Sequence, residues 1–142
     1  MTFSILAHDR TNGSFGVATA TGGPAVGSLV PHARAGVGAL ATQGYTNPLY
    51  AFDGLAALDA GQGAEAVVYA LTTADSERDR RQLIVMDRTG ATAGWSGQGL
   101  TAAVGLHLQT DIAIAGNLLA NTDVVPAMAE AFARAGGPLE LR

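Results

Sequence analysis

The sequence contains neither cysteine nor lysine. The first absence removes disulfides, thiolate metal sites and cysteine nucleophiles; the second removes P-loop, Schiff-base and serine–lysine chemistry together. Charge is sparse as well, at 14% of residues, and eight arginines against twelve carboxylates leave a net charge of −4. Such a chain repels polyanions overall, so no nucleic-acid partner is expected. The one basic cluster, Arg78, Arg80 and Arg81, is interleaved with Asp75, Glu77 and Asp79, and Asp75 to Arg81 reads as a solvated, self-neutralised loop. No apolar run approaches the roughly 18–20 residues of a membrane span, and the start lacks the basic and apolar segments of a signal peptide. No membrane contact is expected, and the expected compartment is the cytoplasm. His8, His32 and His107 have no ligand spacing among them, so no metal site is expected, and nothing points to an organic cofactor.

What remains is an apolar chain, 48% hydrophobic over 142 residues, long enough for one domain that buries about two-thirds of its unfolded surface. With so little charge, many elements must be covered on both sides, as in stacked layers of sheet and helix. The first twenty-two residues organise the rest. Strands over about Thr2 to His8 and Phe15 to Thr21 bracket Asn12-Gly13, a pair that favours a two-residue hairpin turn. By strand alternation Thr2, Ser4, Leu6 and His8 point one way and Phe3, Ile5 and Ala7 the other. Gly22 to Ser28 reads as a packed loop, and Gly36 to Gln43 as a third strand of small residues.

Asn47-Pro48 opens a helix with Asn47 as its cap; Phe52, Leu55 and Ala56 fall at helical spacing and Gly61 ends it. A second helix covers about Ala64 to Ala74. Leu83 to Met86 and Ala91 to Trp95 form a hairpin around Asp87-Arg88-Thr89-Gly90, a turn that echoes Asp9-Arg10-Thr11-Asn12-Gly13. Trp95 and Tyr69 are expected in the core. Strands at about Ala102 to Leu108 and Asp111 to Ala115 precede a last helix that begins near Asp123 and stops at Gly136-Gly137-Pro138. The order of strands, two helices, strands and one helix predicts an α+β protein of sheets covered by helices.

Thr2 carries the chemistry. If Met1 were removed, Thr2 would combine a hydroxyl with a free α-amine of pKa about 7.7–8.0 at the start of a strand, the minimal kit of an N-terminal nucleophile. Several segments then become familiar: Thr2-Phe3-Ser4-Ile5, Pro31-x-Ala33-Arg34-Ala35-Gly36-Val37-Gly38-Ala39, Ala41-Thr42-Gln43, Asn47-Pro48-x-Tyr50, Gly116-Asn117-x-Leu119 and Ala127-Met128-Ala129-x-Ala131-Phe132. In this order they resemble the bacterial family called domain of unknown function 1028, over essentially the whole chain. That family is grouped with the N-terminal-nucleophile hydrolases, so the resemblance implies a four-layer sandwich in which two antiparallel sheets lie between helices. Members usually continue beyond the position of Leu139 with another helix and a final strand, which this chain is expected to lack. An uncovered edge would follow, and with it a homodimer or higher homo-oligomer.

The resemblance further implies an amide hydrolase acting on a small molecule, with Thr2 as nucleophile and its own freed amine as base. Asn117, after Gly116 at the end of an apolar strand, is the first candidate for an oxyanion donor, and backbone N–H groups near Gln43 and Gly44 are the second. Thr19 and Thr21, at the exit of strand two, are candidates to orient the amine. Gln43 and Asn47 are candidates for the substrate-binding wall, and His32 and Arg34 for a substrate carboxylate. The alternative is a non-catalytic member of the same fold that keeps Met1 and serves as a ligand-binding or assembly module.

Overall fold

A computed structural model describes all 142 residues. Eight strands form two antiparallel four-stranded sheets. The first sheet has the order β2-β1-β8-β7, built from β1 (Thr2–Asp9), β2 (Ser14–Thr21), β7 (Ala103–Gln109) and β8 (Ile112–Leu119). The second runs β3-β4-β5-β6, from β3 (Pro31–Arg34), β4 (Gly38–Gly44), β5 (Arg81–Asp87) and β6 (Thr92–Ser96). The helices are α1 (Val26–Leu29), α2 (Leu49–Asp59), α3 (Ala64–Ala74) and α4 (Val124–Arg134).

Three apolar clusters define the layering. Between the sheets lie Leu6, Ala39, Ala41, Ile84, Met86, Ala113 and Ala115. Outside the second sheet, Leu40, Leu83 and Val85 pack on Tyr50, Leu58, Val67 and Val68 of α2 and α3. Outside the first, Ile114, Phe3 and Ile5 meet Val125, Met128 and Ala129 of α4. The result is a helix–sheet–sheet–helix stack in which the inner strands are covered on both faces, which is why β5 reads as a continuous apolar run rather than an alternating one. The small alanines of β4 and β8 let the sheets approach closely. α4 covers β7 and β8; the outer side of β1 and β2 is met by the turn Leu139–Leu141, whose Leu139 side chain lies over Gly16.

Several boundaries differ from the sequence reading. The first hairpin has a four-residue loop, Arg10 to Gly13, because Asp9 pairs with Ser14, not the two-residue turn that Asn12-Gly13 suggested. Only Gly13 takes a positive φ there, and Asp9 dictates the rest: its Oδ1 accepts from the Thr11 N–H and hydroxyl. Asp87 does the same for the Thr89 N–H and hydroxyl, so the two Asp-Arg-Thr turns do share their chemistry. The loop before Pro31 contains the single-turn α1, and Pro31–Arg34 forms an edge strand that the sequence reading missed. Four residues beginning with proline carry too little periodicity to register, and Pro31 needs an edge. Phe52 and Tyr69 are exposed, at 70% and 71%, rather than in the core, because α2 and α3 turn Tyr50, Leu58, Val67 and Val68 toward the sheet. Trp95 packs against that same cluster and donates from its indole N–H to the Arg78 carbonyl.

The α2–α3 connection closes as a Schellman motif: the Gln62 N–H reaches the Ala57 carbonyl, the Gly61 N–H reaches Leu58, and Gly61 supplies the positive φ. α3 is then capped from outside its own segment, since Asp87 Oδ2 accepts the Ala64 N–H at 3.2 Å. Burial alone would raise the Asp87 carboxyl, but bonds from the Thr89 hydroxyl and from the N–H groups of Thr89, Ala64 and Ala91 prevail and hold it below the ordinary 3.8. A carboxyl depressed by folding contributes stability that is present above its unfolded pKa and lost as pH falls through the folded one. Asp87→Asn is therefore expected to lower stability near neutral pH by about 1–3 kcal/mol through unmatched donors. The difference from the parent should shrink as pH drops below about 4, as read by urea unfolding across pH.

Candidate functional site

Along β1 the inward face changes character. Leu6 lies in the apolar layer between the sheets, Ser4 touches Gln43 of the opposite sheet, and Thr2 stands at the strand's start. The neighbouring strands change in step. Thr2 is paired with Thr21 of β2 on one side and Asn117 of β8 on the other, and Ser4 with Thr19 and Ala115. Across the gap, Gln43 of β4 is paired with Gln82 of β5, and Gln82 with Ser96 of β6. One end of the inter-sheet layer is thus apolar and the Thr2 end is polar, built wholly from uncharged side chains.

Burial there is severe: Ser4 and Gln82 are fully buried, Gln43 is 1% exposed and Asn117 2%. Every sealed polar side-chain atom nevertheless has a partner, as the cost of orphaning one requires. Ser4 Oγ lies 2.6 Å from Gln43 Oε1 and 2.8 Å from Thr19 Oγ1. The Gln43 amide donates to Gln82 Oε1 at 2.7 Å, and Asn117 Nδ2 donates to the same oxygen at 3.1 Å. Gln82 Nε2 faces Ser96 Oγ at 2.9 Å and the carbonyls of Gly105 and Gly116 at 3.1 Å each. At the mouth, Thr2 Oγ1 is 2.8 Å from Thr21 Oγ1, whose hydroxyl also donates to the Met1 carbonyl at 3.1 Å.

Thr2, Thr19, Thr21, Gln43 and Asn117 therefore come together. The other candidates lie apart. Asn47 accepts the Leu49 N–H at the start of α2 and lines a cavity of 360 Å³ between α2 and α3. The helix itself starts at Leu49, two residues beyond the expected cap. His32 sits on the edge strand with Nε2 3.3 Å from the Leu29 carbonyl. Arg34 pairs with Gly38, at the far end of β4 from Gln43, and is engaged by Asp59 at 3.0 Å. Five residues of strand, roughly 16 Å, separate those two positions. Five cavities, of 360 to 590 Å³, open elsewhere, and Thr2, Thr21 and Asn117 line none of these.

Two residues escaped the sequence reading. Gln82 is the second residue of β5, just ahead of its apolar run Leu83 to Met86, and a lone glutamine at that position was the available signal. Ser4 was legible only as facing the same way as Thr2. Next to the site, Ser76 to Arg80 are exposed as the sequence reading expected, while the ends of that stretch, Asp75 and Arg81, are drawn in as a brace. Arg81 binds Asp75 at 3.0 Å with both side chains largely buried, and Tyr50 donates to Asp75 at 2.8 Å. Burial opposes ionisation of Asp75, but the Arg81 guanidinium, the Glu77 N–H and the Tyr50 hydroxyl outweigh it and hold its carboxyl below the usual value. Burial, then the bond to that carboxylate, pushes the Tyr50 hydroxyl up. The Arg80 guanidinium lies 3.6 Å over the Tyr45 ring, which completes the brace.

This geometry can be set against known proteins. Residues 2–142 match a family of unknown function, DUF1028. The chain belongs to that family. A crystal structure of a family protein from Silicibacter pomeroyi is similar to it at a TM-score of 0.94 and 35% identity, over 98% of this chain. This chain spans 64% of that protein's length. No curated protein matches the sequence. Family membership accounts for the two-sheet architecture and leaves the chemistry to be argued from the residues.

Because Ser4 and Gln43 share one bond inside a sealed network, their contributions are expected not to add. Gln43→Met should cost about 1–3 kcal/mol, and Ser4→Ala a similar amount. The double variant should cost less than the sum by about 0.5 kcal/mol or more in urea unfolding.

Proposed function

We propose that this protein is an N-terminal-nucleophile hydrolase that cleaves an amide bond of a small molecule through Thr2 after loss of Met1. The observation that carries the reading is the register of β1, which aligns Thr2 between the hydroxyl of Thr21 and the amide of Asn117 at the polar end of the layer. Family membership supports the fold expected of such an enzyme.

The steps follow from the groups present. Removing Met1 converts the nitrogen of Thr2 from a peptide N–H into a free amine. The Thr21 hydroxyl, now bonded to the Met1 carbonyl, stands beside that nitrogen and would orient it. The amine takes the Thr2 hydroxyl proton as Oγ1 attacks the substrate carbonyl carbon, and the carbonyl oxygen becomes an oxyanion. Asn117 Nδ2 has two hydrogens, one of which is given to Gln82, so the second can be donated to that oxyanion without desolvating a charge. Collapse breaks the carbon–nitrogen bond, and the ammonium of Thr2 returns its proton to the leaving amine. Water then repeats the sequence on the ester and releases a carboxylic acid.

A second reading, a non-catalytic binding or assembly module that keeps Met1, is favoured by the hydrogen bond between Thr21 and the Met1 carbonyl, which processing would remove. Intact mass of protein made in its native host separates the two: loss of one methionine is expected for the hydrolase, and full retention overturns it. Against a panel of small amides, Thr2→Ala should abolish turnover; activity that persists removes Thr2 from the mechanism. Asn117→Ala should lower kcat by about 100-fold or more if it holds the oxyanion, while an unchanged rate would leave it a structural residue.

A further inference from the structure

The side-chain network behind Thr2 has a direction, and one residue fixes it. Gln82 is fully buried. Its amide nitrogen faces two backbone carbonyls, Gly105 and Gly116, and backbone carbonyls can only accept. The two ends of the Gln82 amide are therefore not interchangeable: reversing it would set its oxygen against two carbonyl oxygens. Oε1 must point the other way, toward Asn117 and Gln43, and only their NH₂ ends can answer it. Gln43 then presents Oε1 to Ser4, and since that oxygen can only accept, the single Ser4 proton goes to it.

We infer that Gln82 is a positioning residue that imposes the orientation of the Asn117 and Gln43 amides at the Thr2 end of the layer. The carbonyls of β7 and β8 set Gln82, Gln82 sets Asn117, and Asn117 thereby keeps its nitrogen rather than its oxygen toward Gln82. The kinetic consequence rests on the hydrolase reading above; the orientation itself does not.

The decisive experiment is side-chain amide NMR on the otherwise native protein, with Asn117 and Gln43 assigned. In the parent, one Asn117 NH₂ proton, held by Gln82, should exchange with solvent much more slowly than the other. Equal, unprotected exchange of both protons overturns the inference without any variant. In Gln82→Met the slow Asn117 proton should lose its protection; retained protection overturns the inference.

Gln82→Glu supplies a test that a merely structural residue would not pass. A glutamic acid there keeps one oxygen toward Asn117 but, once ionised, turns the other on the two carbonyls. Its variant should hold the parent amide pattern at low pH and lose it as pH rises, a dependence the parent lacks. Loss of the parent pattern already at low pH, where the neutral acid keeps an acceptor toward Asn117 and a donor toward the carbonyls, sinks the idea. If the hydrolase reading stands, kcat should follow the same pH course in Gln82→Glu and fall by about 10- to 100-fold in Gln82→Met, with KM little changed. If no amide is turned over, or Thr2→Ala stays active, the hydrolase reading fails alone and the exchange pattern still decides the role of Gln82.

Discussion

Where two sheets bury the sides they turn to each other, polarity must match row by row. The apolar rows are simple: Leu6, Ile84, Met86 and the alanines of β4 and β8 need only volume and shape. The polar rows at the Thr2 end are more demanding, because each amide or hydroxyl taken from water must find a partner or cost about 1–3 kcal/mol. Ser4, Gln43, Gln82 and Asn117 come from four different strands, and each is satisfied through the others. Any shift of one sheet along the other would break several of these bonds at once, and a one-residue slip of a single strand would exchange its inner and outer faces. The polar end thus works as the register key of the sandwich as well as its candidate site.

That double duty explains why no charge is found there. An ionised group in this layer would bear a desolvation cost of several kcal/mol. The arginines and carboxylates are instead held at the periphery, in the Arg81–Asp75 brace beside Tyr45 and in the clamp at the opposite end of the layer, where Asp111 binds both His8 and Arg10. The clamp gathers three turns, since Arg10 also reaches the Thr89 carbonyl and Asp111 the Gly90 carbonyl. Gly90 is obligatory in it: a Cβ there would sit 2.0 Å from the Asp111 carboxylate, and its φ is +83°. The ion pairs each stay within one sheet and its own loops or helices, and the sheets are tied to each other by hydrogen bonds, at the clamp to the Thr89 and Gly90 carbonyls and inside between neutral side chains.

The asymmetry of the outer layers has the same logic. Two helices cover the second sheet and one covers the first, so the outer side of β1 and β2 keeps an apolar groove of 590 Å³ between Ile5, Ala18, Met128, Phe132 and Leu139. β1 is nonetheless held firmly, because it is paired on both edges and contributes to the clusters on both faces. A residue at its first position is placed by the whole sandwich, not by its own turn.

How much of this was legible from the residues depends on whether the information was local. Helix α3, the Gly61 stop and the shared Asp-Arg-Thr turns were written in short patterns, since a cap, a positive φ or an Asp–Thr bond needs only near neighbours. The inward set Thr2, Ser4, Leu6 followed from alternation alone. The edge strand at Pro31 and the exposure of Phe52 and Tyr69 were not legible, because each depends on which face a distant element covers; the length of the first turn was set by local Asp9 bonds that Asn12-Gly13 masked. The adjacency of Thr2 and Thr21 was readable through the first hairpin; the pairing of Thr2 with Asn117, and the separation of Arg34 and Asn47 from them, were not. By itself the sequence determined the layers, the absence of thiol and lysine chemistry, and a hydroxyl at the head of the first strand. Only the tertiary structure decided that Gln82 stands behind that hydroxyl's neighbours, because hydrogen bonds between strands far apart in the chain leave no periodic trace in any of them.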